Sequence, residues 1–169
     1  MTELLIDQAA LERVSLDAIR ELTEAATAAG AGTEGAGPDQ AADNRRVVEL
    51  SAATCAAAAE DPQRHLVVAV VDGRFAGYMI ATIHSEDDRE LDWLMVDPQF
   101  HGGGVAGPLM EAGVAWLGAE RAQWLNVIND NARAVAFYRK HGFEIDPEVR
   151  SDHRVPRVIM RRAGGGARP

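Results

Sequence analysis

The chain has one cysteine, no apolar run near the length of a membrane span, and no stripe of lysine and arginine; each absence removes a class of function. A lone thiol, Cys55, cannot close an internal disulfide, and in its alanine-rich helical stretch it reads as a small buried apolar side chain. Roughly 20 consecutive apolar residues are needed to cross a bilayer, and no run approaches that, so no membrane partner is expected. Met1-Thr2-Glu3 is not a basic start followed by an apolar stretch, so no signal peptide is expected and a reducing, cytoplasmic setting is predicted. With 26 acidic residues against 17 basic, the net charge of −9 argues against nucleic acid as a partner. The same charge suits a cationic substrate and equally suits an acidic protein whose charge carries no message. His65, His84, His141 and His153 lack metal-ligand spacing and acidic partners nearby in sequence, so no metal is expected.

At 169 residues the chain is the size of one domain, placed at residues 1–162, with a disordered tail expected over 163–169. No internal repeat is visible. Leu4–Ile6 reads as a first strand, and Leu11, Val14, Ala18, Ile19 and Leu22 recur at helical spacing up to Gly30. A glycine-rich connector covers 30–38, and Asp43 or Asn44 is the expected cap of a second helix running to about Glu60. His65–Val71, Phe75–Ile83 and Glu90–Val96 read as three strands, the first two joined by an Asp72-Gly73 turn. A helix through Val105, Leu109, Val114 and Leu117, a strand at Trp124–Ile128, a helix at Asn131–His141 and strands at Gly142–Ile145 and Val155–Met160 complete the chain. This order predicts an α/β (α+β) fold, a mixed sheet with helices on both faces.

Residues 91–110 form the most informative segment: a strand, the turn His101-Gly102-Gly103-Gly104, and the opening of a helix. That arrangement aims unpaired backbone N–H groups and a helix dipole at one point, which predicts a phosphate-bearing ligand. An esterase oxyanion loop can share the His-Gly-Gly-Gly pattern, but Ser15, Ser51, Ser85 and Ser151 all lack a Gly-x-Ser-x-Gly elbow. A Walker loop ends in Gly-Lys-Ser/Thr, whereas Val105-Ala106 follows here. A dinucleotide fingerprint belongs near the first βα unit, with an acid downstream; both position and partners are wrong.

Val96 to Ala106, taken with Leu125-Asn-Val-Ile-Asn-Asp-Asn131-Ala-Arg-Ala134 and Phe137-Tyr138-Arg-Lys-His-Gly142-Phe143, resembles the GNAT superfamily of acyl-CoA-dependent N-acetyltransferases. The resemblance implies a mostly antiparallel twisted sheet of about seven strands flanked by about four helices. It implies acetyl-CoA as cosubstrate, with its pyrophosphate wrapped by the amides of His101, Gly102, Gly103, Gly104, Val105, Ala106 and Gly107. Gly104 and Ala106 match the family's Gln/Arg-x-x-Gly-x-Gly/Ala turn, while His101 replaces the usual Gln or Arg and Gly103 stands where Lys or Arg is common. The same likeness gives Leu94, Met95 and Val96 a backbone role toward the pantetheine arm, and gives Asn131 and Ala134 a place at the cofactor.

Acetyl transfer to an amine requires a base, and Glu90 and Asp92, two apart on one strand, are the candidates; Glu90 matches the base carboxylate of some family members. The alternative is that both belong to a solvated run beginning at the hairpin tip, where Glu86, Asp87 and Asp88 are read as surface. Tyr138, two turns after Asn131, is the candidate proton donor to the departing thiolate, as in the family; an aromatic helix anchor is the bland reading. Leu91, Trp93 and Met95 read as core, Trp116 and Trp124 as structural, and Arg161-Arg162 as solvated or near the 3′-phosphate. Cys55 lies far from the motif, which disfavours an acyl-cysteine route. The expected activity is direct transfer to a primary amine in a ternary complex, with an acyl-CoA-binding sensor of the same fold as the rival. Residues 30–44 and 144–154 are expected to choose among small polyamines, aminoglycoside-like amines, amino acids and protein N-termini, and a homodimer is possible.

Overall fold

A computed structural model describes residues 1–30 and 37–165. Seven strands, β1 (Thr2–Ile6), β2 (Arg64–Val71), β3 (Arg74–Ser85), β4 (Asp88–Val96), β5 (Gln123–Ile128), β6 (Glu144–Ile145) and β7 (Arg157–Arg162), form one sheet in the order β1-β2-β3-β4-β5-β7-β6. Every neighbouring pair is antiparallel except β4 and β5. Five helices flank it: α1 (Asp7–Arg13), α2 (Leu16–Gly30), α3 (Pro38–Glu60), α4 (Ala106–Leu117) and α5 (Ala132–Lys140). This is the mixed α/β sheet that the sequence pattern predicts.

The continuous apolar run of β2 is buried on both faces, as expected of a strand covered by helices on each side. Leu66, Val68, Tyr78 and Ile80 pack with Ile19, Leu22, Cys55 and Ala58 beneath α1–α3. Val67, Met79, Ala81 and Leu91 pack with Leu109, Met110, Val135 and Phe143 beneath α4 and α5. Each large side chain moved from water into these layers contributes about 1.5–3 kcal/mol. At the Asp72-Gly73 turn both residues have positive φ, +49° and +78°, the geometry of a two-residue type I′ hairpin.

Two helix starts differ from the sequence expectation. The periodic stretch from Leu11 to Gly30 is two helices, because Val14 adopts extended dihedrals and the Ser15 Oγ accepts the Ala18 N–H at 3.1 Å, starting a new helix. The helix α3 begins at Pro38 rather than after Asp43 or Asn44, since proline suits a first helical turn. Asp43 instead accepts from Arg157 at 2.6 Å, and Asn44 accepts from Gln40 at 2.9 Å. Of the 30–38 connector, residues 31–36 lie outside the described residues, as do 166–169 of the expected tail; Gly164 and Gly165 lie against Glu120.

A bulge in β4 decides where its side chains point. Leu91 pairs with Ala81 and Trp93 with Ile80, which leaves Asp92 as the extra residue. The core residues expected to act together therefore divide: Leu91 joins the α4/α5 layer, while Trp93 and Met95 join the α1–α3 layer. Beside the bulge, β3 and β4 approach closely at Gly77, where an added Cβ lies 2.7 Å from the Met95 carbonyl oxygen. Gly77→Ala is expected to destabilise the fold by about 1–3 kcal/mol, read as a lowered midpoint in thermal or urea unfolding; an unchanged midpoint contradicts the close approach.

Candidate active site

After β4 the chain makes a short 3₁₀ turn at Pro98–Phe100, started by the Asp97 carboxylate accepting the Gln99 N–H at 2.9 Å. The glycine turn follows, with Gly102 and Gly104 at φ +76° and +74°, a region that side chains with a Cβ disfavour. Gly103 N–H is spent on the Phe100 carbonyl at 3.0 Å. Among the described residues, the N–H groups of Gly102, Gly104, Val105, Ala106 and Gly107 meet no acceptor, and Pro108 has none to offer. Five open donors therefore cluster at the positive end of α4, a ready site for an anion.

The turn's cation comes from elsewhere in the chain. Arg133, in the first turn of α5, places Nη1 3.0 Å from His101 Nδ1. Burial and the neighbouring guanidinium both lower the His101 pKa, so the ring is neutral and accepts from arginine. Sequence reasoning missed Arg133; the only signal is its place two residues after Asn131, since folding alone brings it to a turn 32 residues upstream.

Helix α5 is capped by Asn131, whose side-chain oxygen accepts the Ala134 N–H at 3.1 Å. That bond occupies the Asn131 oxygen and the Ala134 amide, and the Asn131 NH₂ has no partner among the described residues. Tyr138 is half-buried against Phe137 and Phe143, ring centroids 5.6 and 6.4 Å away, and burial pushes its phenol up to about 12. Its hydroxyl makes no hydrogen bond among the described residues. Both α4 and α5 cover the same side of the sheet, so the open amides and the phenol share that side.

Between β4 and β5 a single pair, Glu90 with Trp124, is in register. Beyond it the strands part, and Leu94, Met95 and Val96 border the opening with backbone groups that have no ladder partner on that edge. Glu90 and Asp92 face the α1–α3 side, opposite Leu91. Neither is a solvated tip charge: Glu90 is 7% exposed, its Oε2 lies 2.7 Å from His84 Nε2, and Asp92 accepts from Thr82 Oγ1 at 3.3 Å. Burial raises both carboxyl pKa values, with the charge of Asp92 adding to the shift at Glu90. His84, read from sequence as lacking an acidic partner, has one across the hairpin, and that hydrogen bond raises its pKa. Glu86, Asp87 and Asp88 are exposed as expected.

Other residues settle into structural places. Arg161 bonds Asp146 at 2.7 Å, and Arg162 bonds the Ala119 carbonyl at 2.9 Å, past the end of α4 remote from the glycine turn. Trp116 stacks on His65 at 5.0 Å, and Cys55 is fully buried with its thiol pushed up to about 12. A cavity of about 280 Å³ opens where β5 ends, lined by residues 37–40, 128–130 and 154–156. Among the described residues no group of three His, Cys, Asp or Glu could hold a metal ion, and no helix is long and apolar enough to cross a membrane.

A diphosphate suits the open amides and Arg133, and an extended thiol-bearing arm suits the unpaired edge of β4. An uncharacterized N-acetyltransferase of Mycobacterium tuberculosis is 41% identical over 100 residues, 57% of this chain. The chain spans 64% of the length of that relative. An L-amino acid N-acetyltransferase of Escherichia coli is 33% identical over 95 residues, 52% of this chain and 58% of that protein. The PaiA N-acetyltransferase of Thermoplasma acidophilum, solved in complex with coenzyme A, shares the fold at a TM-score of 0.72 and 17% identity, over 95% of this chain and 99% of its own. Residues 17–143 match the sequence profile of the acetyltransferase (GNAT) family, and on that match the chain belongs to it.

Proposed function

We propose that the protein transfers the acetyl group of acetyl-CoA to a primary amine by direct attack in a ternary complex, in a cytoplasmic setting. The observation that carries this reading is the opening between β4 and β5, with anion-binding amides and Tyr138 on one side and the Glu90–Asp92 cluster on the other. Acetyl-CoA supplies the activated acetyl group and a thiolate leaving group. The amides of residues 102 and 104–107, with Arg133, hold its diphosphate, and the free edge of Leu94–Val96 aligns its arm.

A lysine-like amine has a pKa near 10.4, so deprotonating it at pH 7 costs about 4–5 kcal/mol. The buried cluster of Glu90 and Asp92, directly or through a neighbouring group, is placed to draw that proton, since burial has already made these carboxylates stronger bases. Tyr138 faces the departing sulfur from the other side. With its phenol raised to about 12, full proton transfer to a thiolate of pKa about 8.5 is uphill by roughly 5 kcal/mol. Tyr138 therefore acts first as a hydrogen-bond donor, and it releases its proton only as the new amide nitrogen gives one back.

The cavity at residues 37–40, 128–130 and 154–156 lies beside the parted end of β5 and offers room for the body of an acceptor. The Escherichia coli relative is named for L-amino acids, which puts amino acids first in an acceptor panel.

Tyr138→Phe is expected to lower amine-dependent thiol release by about 10²–10³-fold. Calorimetry with coenzyme A is expected to give an unchanged affinity for the variant. Binding without amine-dependent release by the wild-type protein on any acceptor instead identifies an acyl-CoA sensor. Arg133→Gln is expected to weaken coenzyme A binding by about 1.5–3 kcal/mol, the range for a charged hydrogen bond. Pantetheine, which has no diphosphate, should bind the two forms equally; an equal loss for both ligands contradicts the phosphate contact.

A further inference from the structure

We propose that His84 is the group that takes the acceptor's proton, through Nδ1, and that Glu90 is its orienting partner; this rests on the transferase reading above. Glu90 is 7% exposed, and its Oε2 sits 2.7 Å from His84 Nε2. A carboxylate only accepts hydrogen bonds, so Nε2 carries the hydrogen and the lone pair of the neutral ring lies on Nδ1. That nitrogen has no partner among the described residues, and the His84 side chain is 43% exposed, so the acceptor or one water can reach it.

The ring is held in place. It stacks on Trp124 with centroids 6.3 Å apart and planes 21° from parallel, and Trp124 is itself fixed by its Nε1 donating to Asp88 at 2.7 Å. Glu90 and Trp124 are the one register pair between β4 and β5, so the dyad stands at the apex of the opening. Asp92 is differently engaged, by Thr82 and by the nearby Arg64 charge. The charges acting on His84 are Glu90, Asp88 and Asp92, all on β4; from β5 it meets only the indole of Trp124. Three carboxylates favour the imidazolium and make the neutral ring a stronger base.

The proton balance closes. One N–H proton of the acceptor ammonium passes to Nδ1, the freed amine pair bonds the acetyl carbon, and the C–S bond breaks; the thiolate takes a proton from Tyr138, which the amide nitrogen's second proton replaces. The imidazolium then returns that proton to water, which is the one proton the overall reaction releases. The arrangement is that of a hydrolytic His–carboxylate pair, in which the buried acid fixes the tautomer and the ring does the transfer.

The test is the pH profile of kcat/KM for amine-dependent thiol release by the wild type, His84→Asn and Glu90→Gln. In the wild type activity rises with pH as His84 loses its proton, through a pKa above the ordinary histidine value. His84→Asn is expected to lose about 10²–10⁴-fold at neutral pH, with the rising limb displaced toward the pKa of the amine itself. Glu90→Gln keeps an acceptor for the Nε2 hydrogen but removes the charge, so the limb is expected to move to lower pH. Loss of the limb in Glu90→Gln with a wild-type profile in His84→Asn makes Glu90 the base and overturns the assignment. Both variants are expected to bind coenzyme A as the wild type does, which separates an altered profile from a folding defect. Nitrogen NMR of the histidines adds a readout independent of turnover: an Nδ1–H tautomer at His84 overturns the proposal. Absence of amine-dependent release by the wild type overturns the transferase reading and this assignment together, whereas turnover with an unshifted His84→Asn profile overturns this assignment alone.

Discussion

Glu90 and Trp124 face each other in the only register pair that joins β4 to β5. Past that point alternate residues of β4 aim their main-chain N–H and C=O into a gap, the others bonding β3, and an unmade buried backbone bond costs about 1–3 kcal/mol unless water or a ligand takes it. The fold sustains the gap because each strand is held from its far side. Eight pairs tie β4 to β3, and six tie β5 to β7. The two layers of side chains, one under α1–α3 and one under α4 and α5, then clamp both halves of the sheet. What remains unpaired is a short edge of extended backbone, stable without a partner and ready to receive one.

The bulge at Asp92 gives that edge its chemistry. Without an extra residue, Leu91, Trp93 and Met95 would all point to one layer and the acids to the other. With it, Glu90 and Asp92 share a side with Thr82 and His84, while Leu94 and Val96 turn toward α4 and α5. Burial raises the pKa of both acids, and the charge of Asp92 raises that of Glu90 further. On the opposite side, Tyr138 sits in an aromatic setting, and burial raises its phenol. Groups of unlike acidity thus come to stand on opposite sides of one opening.

Much of this was legible in the chain, and the part that was not has a common cause. Alternation and glycine turns act over a few residues, so the strands, the hairpin at Asp72-Gly73 and the amide cluster after Val96 could be read directly. A resemblance in two separated segments then supplied the sheet order. The helix α3 starts at Pro38, at the end of the stretch that reads as connector, rather than after the capping residues Asp43 and Asn44. Asp43 proved to be an ion-pair partner of Arg157, 114 residues away, and nothing local announces that. The same holds for Arg133 with His101, and for His84 with Glu90 across a hairpin that contains register shifts. A bulge moves side chains between faces without altering composition, so the division of Leu91 from Trp93 was beyond any pattern of alternation.

The electrostatics follow from the same division of the sheet. A chain of net charge −9 is a poor general host for a polyanion. Here the anion site consists largely of neutral donors, whose dipoles attract phosphate without altering the net charge, and a single arginine is borrowed from α5. The acids instead gather from Glu86 to Asp92, at and behind the hairpin tip, on the side away from the open amides for the two that are buried. An ammonium-bearing acceptor is drawn to that side by the charge that would repel the phosphates from it. Keeping the two fields on opposite sides of the sheet lets one acidic protein hold an anion and attract a cation, meeting only where β4 leaves β5.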